Sequence, residues 1–193
     1  MVQFFLTGLS GTGWCSGLQL LVGDFNGDNY DDLLCSDTNN GFKWIDYADR
    51  SGHFNGTNWS RDAGWCTSSQ SQQIVIGDFN GDSRDDMLCH DKTNGFKWID
   101  YADSLGQFNG IDWSRDARWC TGTIQGFLVG RVNRDNIDGM VCHDYGSGNI
   151  WVDYNFAISE PLDAPAPELP NTECSHNDQL LIQNNSLYCF NGR

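Results

Sequence analysis

The charge of the chain limits the partners that it can bind. Its 193 residues include 26 acidic and 11 basic side chains, which gives a net charge of −15 at pH 7. Such acidity disfavours contact with nucleic acid and with anionic membrane surfaces. No stretch approaches the roughly 18 uninterrupted apolar residues of a membrane-spanning helix. We therefore expect neither nucleic-acid binding nor membrane insertion.

The chain opens with an apolar segment, QFFLTGLSGTGWC, that begins at Gln3 and ends at Cys15. It lacks the basic start and the small-residue cleavage site of a secretory signal. Two later segments, GHFNGTNWSRDAGWC and GQFNGIDWSRDARWC, end in the same Trp-Cys pair. The N-terminal segment therefore resembles a strand whose other copies lie further along the chain.

Two acidic loops follow the same spacing, DFNGDNYDD from Asp24 and DFNGDSRDD from Asp78. Oxygen-bearing side chains at loop positions 1, 3, 5 and 9, with the backbone carbonyl at position 7, can wrap a Ca²⁺ ion that cancels the repulsion between carboxylates. The alternative is a polar turn stabilised by Asn and Asp side chains bonding their own backbone. We expect two structural calcium ions. The predicted ligands are Asp24, Asn26, Asp28, the Tyr30 carbonyl and Asp32, then Asp78, Asn80, Asp82, the Arg84 carbonyl and Asp86.

The acidic loops belong to a repeat of about 54 residues. Gly23, Gly77 and Gly130 begin equivalent segments, each with an apolar strand, the loop, a strand ending in Cys-x-Asp, and a third strand such as GFKWIDYAD. Units one and two continue into the fourth, Trp-Cys segment, which unit three lacks. We predict that the N-terminal strand supplies it and closes the body into a ring.

These patterns predict an all-β chain in three parts. Residues 1–157 would form the three-repeat domain, with units of about 17–66, 67–120 and 121–157, the last completed by 1–16. Residues 158–171 contain LDAPAPELP, a proline-rich linker that cannot continue a central strand. Residues 172–193 would form a separate hairpin.

Eight cysteines, an even number, favour an oxidising compartment and a secreted protein. In each unit one cysteine precedes the acidic loop and one follows it, so pairing within each unit is the simplest arrangement. No CxxC motif supports a zinc site instead. Sequons at Asn55, Asn58 and Asn184 suit a secreted glycoprotein. The expected pairs are Cys15–Cys35, Cys66–Cys89, Cys120–Cys142 and Cys174–Cys189.

At VGDFNGDNYDDLLC and IGDFNGDSRDDMLC the chain resembles the FG-GAP/VCBS repeat family. The resemblance implies calcium loops between the strands of β-propeller blades, as in integrin α chains and some fungal lectins. The third loop departs from the pattern, because Arg131 replaces the first acidic ligand and Gly139 the last. Its guanidinium group is expected to take the place of the cation. A three-unit propeller, part of a larger ring and a β-trefoil-like body remain open.

Repeated aromatic and acidic residues mark a candidate carbohydrate-binding surface. The strand period of two separates a core set, Lys43, Ile45 and Tyr47, from Trp44 and Asp46. A flat aromatic ring beside an acceptor suits a sugar, although a buried Trp with a structural Asp explains the pattern equally well. The candidate residues are Trp44, Asp46, His90, Asp91, Trp98, Asp100, His143, Asp144, Trp151 and Asp153.

No catalytic motif stands out, and the four histidines are scattered or occupy equivalent repeat positions. A glycosidase built from two of the many carboxylates is the remaining enzymatic alternative. We therefore expect a secreted, calcium-binding lectin that is not an enzyme and whose partners are glycans. An extracellular adhesive or structural module that binds protein is the second hypothesis, and either would be compatible with an oligomer.

Overall fold

The computed structural model describes residues 13–62, 64–67, 71–116 and 119–153, together with the backbone of two strands between 178 and 191. The chain divides into two compact units, Met1–Ser159 and Glu160–Arg193. The predicted ring-closing strand in residues 1–12, the linker at 158–171 and the Cys174–Cys189 disulfide lie outside the described residues.

The N-terminal compact unit, Met1–Ser159, contains three antiparallel sheets whose strands follow one another in chain order. The described residues contain no helix, so none could span a membrane. The repeated all-β body predicted from the sequence is confirmed. The strands are β1 Gln19–Gly23, β2 Asp32–Ser36, β3 Phe42–Asp46 and β4 Trp59–Asp62; β5 Gln72–Gly77, β6 Asp86–Asp91, β7 Phe96–Asp100 and β8 Trp113–Asp116; and β9 Gln125–Gly130, β10 Gly139–Asp144 and β11 Ile150–Asp153.

The C-terminal compact unit, Glu160–Arg193, contains an antiparallel hairpin of β12 Asp178–Gln183 and β13 Ser186–Asn191. Its register pairs Gln183 with Ser186, so a two-residue connection joins the strands. The described backbone of this compact unit is therefore a β-hairpin.

The three sheets of the N-terminal compact unit are neighbours, and they contact one another through the first strand of each sheet. Strand β5 contacts β1 on one side and β9 on the other, whereas β1 and β9 do not touch each other. Among the described strands, therefore, the closure of a three-unit ring is not seen.

Each sheet buries its apolar face against the next sheet. In the first cluster, Phe25 of the first acidic loop and Leu34 and Ile45 of the first sheet are fully buried. They pack against Met87 and Phe108 of the second repeat unit. This packing removes large apolar side chains from water and supplies the main stabilisation of the junction. The equivalent cluster between the second and third units contains Phe79, Leu88, Ile99, Phe127 and Met140.

The same hydrogen bonds join neighbouring sheets at both junctions. The Asp85 carboxylate accepts the Asp24 N–H at 2.9 Å, and the Asp85 N–H donates to the Asp24 carbonyl at 2.7 Å. One unit later, Asp138 makes the same two bonds to Asp78, at the same distances. Each clamp joins position 8 of one acidic loop to position 1 of the loop before it.

A glycine makes room for each clamp. A Cβ atom on Gly77 would lie 2.8 Å from Val129 Cγ1 and 2.9 Å from Asp138 Oδ2, and Gly23 is crowded in the same way by the second sheet. A Cβ atom on Gly130 would meet nothing within 4 Å. The third sheet therefore has the strand that makes this contact but, among the described residues, no neighbour to make it with.

Three of the predicted disulfides are present, with one in each repeat. Cys15–Cys35, Cys66–Cys89 and Cys120–Cys142 have Cα atoms 5.5, 5.7 and 5.4 Å apart. Each bridge fixes the segment before a sheet to the second strand of that sheet. Repeat-local pairing is thus confirmed for these six cysteines.

Candidate functional site

The side chains of the first acidic loop bond the backbone of the loop itself. The Asp24 carboxylate accepts the N–H groups of Asp28 at 3.1 Å and Asn29 at 2.8 Å. Asn26 Oδ1 accepts the Asp28 N–H at 2.9 Å, and Asp28 Oδ1 accepts the Tyr30 N–H at 3.0 Å. Asn29, at position 6, has a φ of 66°, a left-handed conformation that Asn tolerates better than most residues.

The second acidic loop repeats these contacts. Asp78 accepts the N–H groups of Asp82 at 3.2 Å and Ser83 at 3.0 Å, and Asn80 Oδ1 accepts the Asp82 N–H at 2.9 Å. Asp82 accepts the Arg84 N–H at 2.9 Å and also contacts the Arg84 guanidinium group. The positive side chain at position 7 thus offsets part of the negative charge of this loop.

The last predicted ligand of each loop is a buried carboxylate. Asp32 is fully buried and bridges the N–H groups of Phe25 at 3.1 Å and Ala48 at 2.9 Å. Asp86 is also fully buried and bridges the equivalent two amides. Burial raises the pKa of Asp32 to about 6 and that of Asp86 to about 8. Ionisation of either carboxyl group in the folded protein therefore costs free energy.

The residue types of the two loops fit calcium. Every proposed ligand is an oxygen, the donor that this hard cation prefers. Oδ1 of Asp24 and of Asp78 each accept two N–H groups, but Oδ2 of each accepts one and retains a second lone pair. The placement of the side chains does not form a full coordination shell. Within the described ranges, no three His, Cys, Asp or Glu side chains converge closely enough to hold a metal ion. The predicted calcium sites therefore remain a prediction.

The third loop does not hold its arginine as predicted. Arg131 lies 3.9 Å from Asp78 Oδ2 and 3.9 Å from Asp138 Oδ1, and its side chain is 55% exposed. The remaining oxygens of the loop bond internally, with Asn133 Nδ2 donating to Asp135 at 2.6 Å. Arg131 thus lies between Asp78 of the second loop and Asp138 of its own loop, while Asn133 and Asp135 bond each other.

The three predicted Trp and Asp pairs differ in their accessibility. Asp46 is only 3% exposed and accepts the N–H groups of Asn55 and Gly56, at 3.2 and 2.8 Å. Asp100 makes the equivalent bonds, and burial raises its pKa to about 6. Both carboxylates fasten the loop that follows their strand. Trp44 and Trp98 are half-buried beside Phe42 and Phe96.

The third pair is open to solvent. Trp151 is 38% exposed, and the Asp153 side chain is 32% exposed and forms an ion pair with Arg115 at 3.4 Å. Of the three pairs, this one alone combines an exposed ring with an accessible acceptor.

The other predicted binding residues lie at the turns of the second and third sheets. His90 is fully buried, with its ring stacked on Phe127 at 4.4 Å, and burial lowers its pKa to about 4. His143 packs edge-on against Tyr145 at 4.8 Å. Asp144 accepts the N–H of Ser147 at 2.8 Å, which lowers its pKa. Asp91 likewise holds the turn after β6, where it accepts from Thr93.

An open groove of about 670 Å³ lies between the second and third sheets. Its volume is within the range of small-molecule sites. Tyr145 forms one wall with 63% of its surface exposed, and its hydroxyl lies where a Cβ of Gly126 would stand. Asp144 orients Gln125 in the floor, through a hydrogen bond of 3.2 Å from Gln125 Nε2. The polar lining also includes Gln73, Lys92, Thr93 and Thr123.

Two features of this region were missed at the sequence level. A sequence pattern does indicate the Asp85 and Asp138 clamps, because position 8 stays acidic in all three loops even where positions 1 and 9 do not. No repeat pattern indicates Tyr145, since the other repeat units have Thr38 and Lys92 at its position.

Comparison with known proteins agrees with the repeat and with the fold. Residues 24–89 match the family model of the FG-GAP-like repeat. This stretch of the chain is therefore similar to the FG-GAP-like repeat, as the sequence predicted. No curated protein matches it.

Among solved structures, a lectin from Agrocybe aegerita matches with a TM-score of 0.54 and 13% identity. That structure is described as the basis of specific recognition of non-reducing terminal N-acetylglucosamine. The match covers 68% of this chain but only 36% of the lectin chain. At this identity the likeness concerns the fold alone.

Proposed function

We propose that this protein is a non-catalytic, calcium-binding lectin whose main sugar site is the groove between the second and third sheets. The observation that carries the proposal is the exposed ring of Tyr145 beside polar groups in a concave site of suitable size. An aromatic face packs against the C–H groups of a sugar, while Gln73, Lys92 and Gln125 offer hydrogen bonds to its hydroxyls.

The turn that carries Tyr145 is already organised for binding. Asp144 anchors this turn through the N–H groups of Gly146 and Ser147, and the Tyr145 N–H donates to the Ile124 carbonyl at 2.8 Å. A fixed ring loses little freedom when a ligand binds. Trp151 and Asp153 form a second candidate surface on the same sheet.

Calcium has a structural role in this proposal. An ion in the second loop would neutralise Asp78, Asp82 and Asp86, and Asp78 is the residue that the third sheet clamps through Asp138. Calcium would thus stabilise the junction that contains the groove. Chelation is expected to weaken glycan binding by loosening this junction, without removing any direct contact to the sugar.

The test is binding of the whole chain to a glycan array, with terminal N-acetylglucosamine among the probes, in calcium and in chelator. We expect binding in calcium that Tyr145→Ala lowers about tenfold, equivalent to about 1.4 kcal/mol. Leu105→Ala is the matched control, since Leu105 is also 63% exposed but lies outside the groove.

Two other outcomes would assign the function differently. Loss of binding in a folded Trp98→Ala and Trp151→Ala double variant, with Tyr145→Ala unaffected, would move the site to the Trp and Asp pairs. Absence of binding to every glycan would favour the adhesive, protein-binding module. Hydrolysis of aryl glycosides by the same preparation would contradict the non-catalytic assignment.

A further inference from the structure

Two neighbouring sheets meet through two different faces, and each end of the three-sheet array leaves one of these faces exposed. Inside the chain, each sheet covers the apolar face of the sheet before it. At the third sheet this face is uncovered: Leu128, Val132 and Val152 are 56%, 42% and 37% exposed. The residues at the same repeat positions in the second unit include Phe79 and Ile99, which are fully buried.

The first sheet exposes the other face, the one that covers the preceding sheet at the internal junctions. Leu20 and Val22 on β1 are each 51% exposed. The residues at the position of Leu20 in the later units, Ile74 and Phe127, are only 3% and 5% exposed because they pack against the preceding unit. The first sheet therefore presents a covering face with nothing beneath it among the described residues.

The hydrogen-bonding groups that form a clamp are also split between the two ends of the array. Asp31 occupies the position of the clamps Asp85 and Asp138 but is exposed. Gly130, at the far end, occupies the position of the two crowded glycines and has open space around it. Asp31 thus has the carboxylate of a clamp, and Gly130 with Arg131 has the strand end that a clamp binds.

The charges at these two ends are complementary. At the internal junctions each clamping carboxylate hydrogen-bonds the backbone of an aspartate, Asp24 or Asp78, whose side chain carries the same charge. At the open end the equivalent residue is Arg131, which would attract Asp31 without a metal ion.

The neighbouring contact shows the same complementarity. At the internal junctions position 4 is a glycine, and the side chain at position 7 of the next loop, Arg84 or Ile137, packs above it. At the open end position 4 is Arg134, and position 7 of the first loop is Tyr30, which is 41% exposed. An arginine stacks well on a tyrosine ring.

We propose that two copies of this chain associate head to tail and close a ring of six repeat units. At each of two equivalent junctions, the Asp31 carboxylate of one copy clamps the backbone N–H of Arg131 in the other, and Tyr30 stacks on Arg134. A heterologous contact of this kind gives either a closed ring or a filament. Six units lie within the four to eight blades that closed propellers use, which favours a closed pair.

The test measures the mass of the full chain by analytical ultracentrifugation at near-physiological salt, over a wide concentration range. We expect a species of twice the chain mass. Asp31→Lys and Arg131→Glu should each give monomers, since each reversal places like charges at both junctions. Ile111→Lys is the control, because Ile111 is 52% exposed but lies outside both end faces, and should leave the pair intact.

Mixing the two charge-reversed variants tests the head-to-tail geometry. A mixed pair has one native junction and one junction whose charges are exchanged, so mass doubling should return when the variants are combined. Leu20→Glu provides a second block of the first end if Asp31→Lys fails to fold.

Three outcomes would overturn the proposal. A monomer at all concentrations would leave the end faces to further units or another partner. Larger oligomers would exclude the closed pair. Pairs that survive both charge reversals would place the contact elsewhere.

Discussion

Buried ionisable residues set the pH response of individual positions. His90 is fully buried, and burial together with the positive charge of Lys97 lowers its pKa to about 4. A hydrogen bond with the Trp119 backbone and the charge of Asp91 oppose this shift. The unfolded chain takes up this proton near pH 6.5, whereas the folded protein does so only near pH 4. Stability from His90 is therefore lost as the pH falls from 6.5 to 4.

We expect His90→Phe to remove this loss, which amounts to up to about 3 kcal/mol. The measurement is the free energy of unfolding in urea at several pH values, compared as the difference between variant and parent. A constant packing cost does not affect this difference. His53→Phe is the control, because the His53 side chain is 60% exposed. An unchanged pH slope in His90→Phe would contradict the buried, neutral imidazole.

Two lysines show why burial could not be predicted from residue type. Lys43 and Lys97 are each 2% exposed and donate to backbone carbonyls beside Trp65 and Trp119. The strand period correctly placed Lys43 on the core face. It could not show that Asp46, on the other face, is covered by the loop that it anchors, because that loop lies ten residues further along the chain.

At the scale of strands and sheets, the spacing between units depends on glycine. Gly77→Ala would force a Cβ against the third sheet, and we expect it to cost about 1–3 kcal/mol. Gly130→Ala, at the equivalent position with free space, should stay within about 0.5 kcal/mol. Urea unfolding at low protein concentration, where association is minimal, compares them. Equal effects would mean that the junction is not as close as described.

The disulfides tie each acidic loop to its sheet. Replacing Cys66 and Cys89 with alanine opens a connection across 23 residues and should lower the free energy of unfolding by about 2–4 kcal/mol. The melting temperature of the double variant, measured beside the parent under non-reducing conditions, checks this. An unchanged melting temperature would show that the bridge contributes no net stability.

The sequence predicted these elements better than their assembly. The repeated glycine, acidic loop and cysteine positions predicted the strand order and three of the pairings, because each is a local pattern within one unit. The groove was not predictable, since it forms between β5 and β9, which lie about 50 residues apart, and Tyr145 has no counterpart in the other units.

At the scale of the whole molecule, the acidic loops should make stability depend on calcium. Binding to the folded form alone raises the melting temperature by mass action. We expect calcium to raise it and chelator to reverse the rise, with magnesium giving a smaller effect because it demands a tighter octahedral site. Asn80→Ala with Asp82→Ala should remove most of the shift from the second loop. A melting temperature indifferent to calcium would exclude structural calcium sites.

The central proposal is that the chain binds sugar in the groove between the second and third sheets. The most direct measurement is a titration of the ¹⁵N-labelled chain with N-acetylglucosamine, or with the strongest glycan from the array, followed by NMR in calcium. The account predicts saturable shifts at the amides of Gln125 and Tyr145, lost in Tyr145→Ala and retained in Leu105→Ala. Saturable shifts confined to other sheets, or none with any glycan, would contradict it.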